Sequence, residues 1–141
     1  INVPYISTFR LIHDFFCNLC TFAICTNTIA MDKFNIKDSH PNISRLEKLF
    51  LEEGVLTKFK KNEYLVRQNE KTNQIGFIKS GMFRLSHIDA DANEWIVGYS
   101  FVNDFVCDYP SFIKQATSTV NIQATTECEV YLLSLNRLNQ F

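Results

Sequence analysis

Few side chains in this 141-residue chain have the type and spacing to do chemistry. The most suggestive stretch is Cys107-Asp108-Tyr109-Pro110-Ser111-Phe112-Ile113, where a strand-like pattern breaks. Pro110 suits the first position of a short helix, because its ring presets φ and its missing N–H would have had no helical partner there. Asp108 or Tyr109 then stands beside the helix amino terminus. Backbone N–H groups at such an end attract anions, whereas a carboxylate at its mouth accepts hydrogen bonds from sugar hydroxyls. Cys107 is the thiol placed next to this segment. A helix amino terminus lowers a thiol pKa and makes it redox-responsive, while burial leaves it inert, and both readings stay open.

Other candidates are weaker. The five cysteines are an odd number, and two of them, Cys107 and Cys128, stand alone, which argues for reduced thiols in a cytoplasmic protein. Cys17-x-x-Cys20 has the form of half a zinc site or a redox pair, but the second pair it needs is only His13 with Cys25, at irregular spacing. His87 and Asp89 suggest a metal or catalytic pair, yet only His40 and His87 follow Met31, too few for a jelly-roll metal centre. No metal site is therefore expected, and His87 reads as a strand-end surface residue. Trp95, Tyr99 and Phe101 share a strand parity that fits either base stacking or, more commonly, core. Lys58, Lys60 and Lys61 beside Glu63 read as a solvated turn. No nucleophile elbow, phosphate-binding loop or nucleophile–His pair is present, so an enzyme is not expected.

The bulk numbers agree with one ordinary domain. With 14 basic against 15 acidic side chains, no strongly basic face is available for nucleic acid in this chain. Four Gly, three Pro and 13 Phe exclude fibrous and disordered classes. Residues 15–30 are apolar and uncharged, but too short and too rich in Asn and Thr to span a bilayer, so no membrane association is expected. Composition changes sharply at Met31. Residues 1–30 read as an apolar amino-terminal extension outside the functional domain, and residues 31–141 as the domain itself.

From Ser39 onward the elements are legible. Ser39 or Asn42 can cap a helix with Ile43, Leu46, Leu49 and Phe50 on one face, stopped by Gly54. Short strands are predicted at 55–59, 63–67, 74–80, 82–88, 94–101, 119–124 and 129–134, with turns at 68–73, 89–93 and 125–127. Gly81 suits a tight reversal between two paired strands. Seven or eight short strands at this spacing point to a mainly β, antiparallel roll or barrel. Leu135–Phe141 reads as helix that stops in mid-pattern.

This order of elements, with the glycine-centred F-I-K-S-G-x-F-R of Phe77–Arg84, then E-W-I-V-G-Y-x-F-x-x-D-F and I-Q-A-T-x-x-C-E-V-Y-x-L-S, resembles the amino-terminal, cyclic-nucleotide-binding-like sensor domain of the Crp/Fnr transcription regulators. The resemblance covers about residues 42–141. Ile78-Lys79-Ser80-Gly81 looks like the family's hairpin segment, and Asp104-Phe105 like its pocket entry with Asn103 in place of the first glycine. The resemblance implies a double-stranded β-helix jelly roll with short flanking helices. It also implies a dimerisation helix and a helix-turn-helix domain beyond Phe141, and hence a homodimer that meets DNA only through that later part.

In cyclic-nucleotide-binding members of the family a Glu holds the ribose, and an Arg-Ser pair ten residues later holds the cyclic phosphate. Asp108 stands at the Glu position here, and the same spacing lands on Ser118-Thr119. The resemblance thus names Cys107, Asp108, Tyr109, Ser111, Ser118 and Thr119 as the candidate ligand-binding set. The carboxylate is shortened, the hydroxyl is kept as Thr119, the arginine is replaced by Ser118, and Cys107 replaces a glycine. Two hydrogen bonds from a guanidinium fork, at about 1.5–3 kcal/mol each, make its loss worth on the order of a hundredfold or more in cyclic nucleotide affinity. The expected effector is a small anionic or nucleotide-like molecule other than cAMP, or else the pocket is vestigial and filled by Tyr109 and its neighbours. The expected function is effector or redox sensing for a downstream DNA-binding domain, with a regulatory or interaction module unconnected to DNA as the alternative.

Overall fold

The computed structural model describes residues 41–141; the expected extension over 1–30, its cysteines and Ser39 lie outside the described residues. Helix α1 (Pro41–Glu53) comes first, with Leu46, Leu49 and Phe50 buried as the spacing predicted. The helix ends where the Gly54 N–H donates to the Phe50 carbonyl at 2.9 Å. Eight strands follow: β1 (Val55–Phe59), β2 (Tyr64–Val66), β3 (Gln74–Ser80), β4 (Phe83–Ile88), β5 (Glu94–Ser100), β6 (Phe105–Val106), β7 (Asn121–Ala124) and β8 (Cys128–Ser134). A short helix α2 (Tyr109–Lys114) separates β6 from β7, and α3 (Leu135–Leu138) ends the order.

The strands form two four-stranded sheets in the orders β1-β8-β3-β6 and β2-β7-β4-β5, with every pairing antiparallel. This is the mainly β jelly-roll architecture that the sequence implied. One expectation needs correction. β3 and β4 do not pair with each other: β3 pairs with β6 and β8, and β4 with β5 and β7. Gly81 is therefore a corner where the chain passes from one sheet to the other, opposite the turn that carries β7 into β8. Its φ is +90°, in the left-handed region that side chains resist.

Residues Phe50–Leu135 form one compact unit that contains both sheets and α2. Its core is Val66, Ile78, Phe83, Val106, Ile122, Ala124, Cys128 and Val130, with Phe59, Leu65, Leu85, Val120 and Leu132 packed against it. Phe59 meets Phe83 edge-on at 5.7 Å, and Phe105 sits between Phe50 and Phe77 at 5.2 and 5.1 Å, separations typical of favourable ring pairs. In the smaller unit the Arg45 guanidinium lies 5.2 Å from the centre of the Phe141 ring. No helix among the described residues is long and apolar enough to cross a membrane.

A second correction concerns β5. Trp95, Tyr99 and Phe101 are 60%, 47% and 44% exposed, so the shared parity does not mark core. Alternation shows which residues share a face but not whether that face is covered, and β5 lies at the edge of its sheet with β4 as its one neighbour. Trp95 is the single tryptophan of the chain. Its fluorescence is expected to be red-shifted and readily quenched by iodide; blue-shifted emission resistant to quenching would contradict this placement.

The β4–β5 turn shows what the short motif Asp89–Asn93 encodes. The Asp89 carboxylate accepts from the N–H groups of Asp91 and Asn93 at 2.9 Å each and from the Trp95 indole at 2.9 Å. The indole bond, followed by the other donors of its turn, holds its carboxyl below the usual aspartate value. Ala92 in this turn has φ 63°. Ala92→Gly is expected to stabilise the protein by about 0.5–1 kcal/mol, because relief of the left-handed strain exceeds the entropy that glycine adds to the unfolded chain; chemical denaturation checks it.

Candidate functional site

Asp108 lies in the short connection between β6 and α2, at the residue before the helix. The proline signal was read one residue off: the helix starts at Tyr109 with Pro110 next to it, and Gln115 at φ 51° ends it. Asp108 does not cap the helix with its side chain. Its carboxylate is instead turned toward the segment that leads into β7. The Oδ2 atom accepts from the Thr119 N–H at 2.7 Å, the Thr119 hydroxyl at 2.9 Å and the Ser111 hydroxyl at 2.8 Å. The Ser118 hydroxyl lies 3.2 Å from the same oxygen but 2.8 Å from the Val120 carbonyl. A hydroxyl carries one proton, so the shorter bond to Val120 takes most of it and Asp108 receives the lesser share.

The cluster is set into the fold rather than laid on it. Asp108, Ser111 and Ser118 are 6%, 4% and 1% exposed, while Thr119 faces solvent. Burial on its own raises the Asp108 pKa and is the largest single influence. The donors from Thr119, Ser111 and Ser118 together outweigh it and hold the carboxyl below the ordinary aspartate value. None of the salt bridges among the described residues involves Asp108. The charge is compensated by hydroxyl and amide dipoles.

Backbone contacts fix the donor segment. Ser118 exchanges two hydrogen bonds with the chain after β2: Asn69 N–H to the Ser118 carbonyl at 2.7 Å, and Ser118 N–H to the Glu70 carbonyl at 2.8 Å. Nδ1 of His87 lies 2.8 Å from the Thr119 carbonyl oxygen, which can only accept, so Nδ1 carries the proton. His87 was read from sequence as a strand-end surface residue. It is half-buried and secures Thr119 from β4, while Asp89 is engaged in its own turn. Sequence spacing had no means of showing this bond, which joins residues 32 positions apart.

Of the six residues named from sequence, the structure brings Asp108, Ser111, Ser118 and Thr119 onto one oxygen. Tyr109 is buried in the first turn of α2, and Cys107 is half-buried just before Asp108; neither contributes a donor to Oδ2. Among the described residues no group of three or more His, Cys, Asp or Glu is placed to hold a metal ion. At Asn103, where the resemblance has glycine, φ is 67°, and asparagine is one of the few other residues that tolerate that conformation.

Comparison with known proteins gives this geometry a family. A family profile described as Cyclic nucleotide-binding domain matches residues 56–141, more than half of the chain. The c-di-GMP-responsive global regulator CLP of Xanthomonas campestris is similar in structure, with a TM-score of 0.62 and 23% identity over 69% of this chain and 47% of that one. The sensor domain of the transcriptional regulator DNR of Pseudomonas aeruginosa gives 0.59 and 16%, over 70% of this chain and 65% of that one. A triple mutant of the regulatory subunit of a cAMP-independent protein kinase A from Trypanosoma brucei, bound to cAMP in its A site, gives 0.56 and 20%, over 61% and 31%. The chain thus spans less than two thirds of each of these structures. No curated protein matches the sequence. With regulators of the Crp/Fnr type among its structural neighbours and the profile spanning β1 to the last residue, the chain belongs to the cyclic nucleotide-binding domain family.

Proposed function

We propose that this domain is the effector-sensing part of a Crp/Fnr-type regulator, cytoplasmic and homodimeric in its full form, which passes the state of the Asp108 site to a DNA-binding domain. The observation that carries this reading is the convergence of Asp108 with Ser111, Ser118 and Thr119, at the two positions where the family resemblance puts ribose and phosphate recognition. The effector is a small nucleotide-like molecule for which cAMP is a poor substitute, since Ser118 stands where the phosphate-holding arginine would be. The Trypanosoma neighbour is described as cAMP-independent, and the mutant of it that is bound to cAMP includes a threonine-to-arginine substitution. That pattern supports the weight placed on the arginine.

The test is calorimetry of this chain with cAMP, cGMP, adenosine and guanosine. Cyclic nucleotides are expected to show no micromolar binding, because the missing fork is worth on the order of a hundredfold or more. Saturable micromolar binding of cAMP or cGMP would show that the arginine has been overvalued. Saturable binding of a nucleoside, lost in His87→Ala, which leaves the Thr119 carbonyl unsecured, would support the sensing site.

A further inference from the structure

The amide and hydroxyls that converge on Asp108 Oδ2 have the composition of a small anion site. One backbone N–H and two full hydroxyl donors, with part of a third, meet one oxygen at 2.7 to 3.2 Å. Donors so arranged are what a carboxylate or phosphate oxygen recruits from a protein. The oxygen that fills this place belongs to the chain itself.

We propose that Ser111, Ser118 and Thr119 form an anion cradle whose resident occupant is the Asp108 carboxylate, so that the site refuses external phosphates and carboxylates until that carboxylate is removed. The inference rests on the sensing-site reading only for the location of the cradle, and it narrows the effector to uncharged or donor-bearing molecules. Two observations support it. The residues contributing the occupant and two of the donors are at least nine-tenths buried, so the cradle is preformed in the fold rather than assembled by solvent-exposed side chains. The donor segment is also held independently of Asp108, by Asn69 and Glu70 on the Ser118 backbone and by His87 on the Thr119 carbonyl. The Ser118 and Thr119 backbone, with the Thr119 N–H that points at the site, therefore stays in place when the carboxylate leaves. No lysine or arginine among the described residues forms a salt bridge with Asp108, so a second anion would meet, at close range, a like charge that only hydroxyl and amide dipoles offset.

Formate is the group that Asp108→Ala deletes, which makes it the direct probe. The melting temperature of Asp108→Ala is expected to rise with added sodium formate beyond the rise in sodium chloride at equal ionic strength. Inorganic phosphate should act in the same direction, and the parent protein should show no difference between the salts. Equal responses of parent and variant, or no response of either, would overturn the proposal. If Asp108→Ala does not fold in chloride, the readout is recovery of folded protein on refolding in formate, and Asp108→Ser, which keeps one oxygen in place, is measured beside it. Recovery supports the cradle, whereas failure of formate to improve either variant contradicts it. A second readout is the Thr119 amide resonance: a saturable shift with formate in the variant, with half-saturation at least about tenfold below any seen in the parent. These readouts follow anion occupancy and folding, so they can fail while a nucleoside still binds, and a failed nucleoside titration leaves them unaffected.

Discussion

Gly81→Ala is expected to cost about 2–6 kcal/mol, a large share of the roughly 5–15 kcal/mol that holds a domain of this kind together. Two independent terms add. A residue with a side chain at φ +90° carries strain of about 1–3 kcal/mol. A Cβ at this position would also lie 2.5 Å from Cys128 Sγ, 2.5 Å from the Glu127 carbonyl oxygen and 2.9 Å from Cys128 Cα. Overpacking of that severity costs a further 1–3 kcal/mol or so. The contacts are largely backbone, so shrinking the neighbour cannot relieve them: Gly81→Ala with Cys128→Ala should recover only part of the loss in urea denaturation. A Gly81→Ala protein within about 0.5 kcal/mol of the parent would contradict the placement of Gly81 at the corner between the sheets.

Asp108→Ala is expected to cost about 3 kcal/mol. It removes the acceptor shared by the Thr119 N–H and the hydroxyls of Thr119 and Ser111, and a buried donor left without a partner costs about 1–3 kcal/mol. Thr119 can turn to water and Ser118 keeps its bond to Val120, which limits the total. The pH dependence follows from the direction of the Asp108 shift. Its carboxyl titrates lower in the folded protein than in the unfolded chain, where it is near 3.8, so protons favour unfolding. The stabilisation is complete above the unfolded value and is lost as pH falls through the lower, folded one. Glu129, held down first by its hydrogen bond from Lys79, and Asp89, held down first by its bond from the Trp95 indole, titrate in the same direction. The contribution of Asp108 is therefore the difference between the parent and Asp108→Asn, which should be flat at neutral pH and shrink below about pH 4.

Much of the fold was readable because local rules decide it. The strands read at 74–80 and 94–101, the helix stop at Gly54 and the Asp89–Asn93 turn depend on residues a few positions apart, and all appear within one residue of where the sequence put them. What failed were statements about partners. Gly81 was read as a hairpin turn, since two strands joined by a glycine look the same whether they pair or part at a corner. The aromatic row of β5 looked like core, since strand parity is silent on sheet order. At the site, Asp108 and Thr119, the pair that the family spacing named, are joined by two hydrogen bonds. That the carboxylate would turn from the mouth of α2 to the donors of Ser111, Ser118 and Thr119 depends on loop geometry that no spacing records, and so does the His87 bond to the Thr119 carbonyl.

The most direct measurement is an NMR titration that follows the Asp108 carboxyl carbon and the Thr119 amide together as the pH is lowered. With the carboxylate seated on its donors, the carboxyl carbon should titrate below 3.8, and the Thr119 amide, whose nitrogen is 2.7 Å from Oδ2, should shift with the same midpoint. A midpoint at or above the ordinary aspartate value, with a Thr119 amide that does not sense it, would mean that the carboxylate is not where this account puts it.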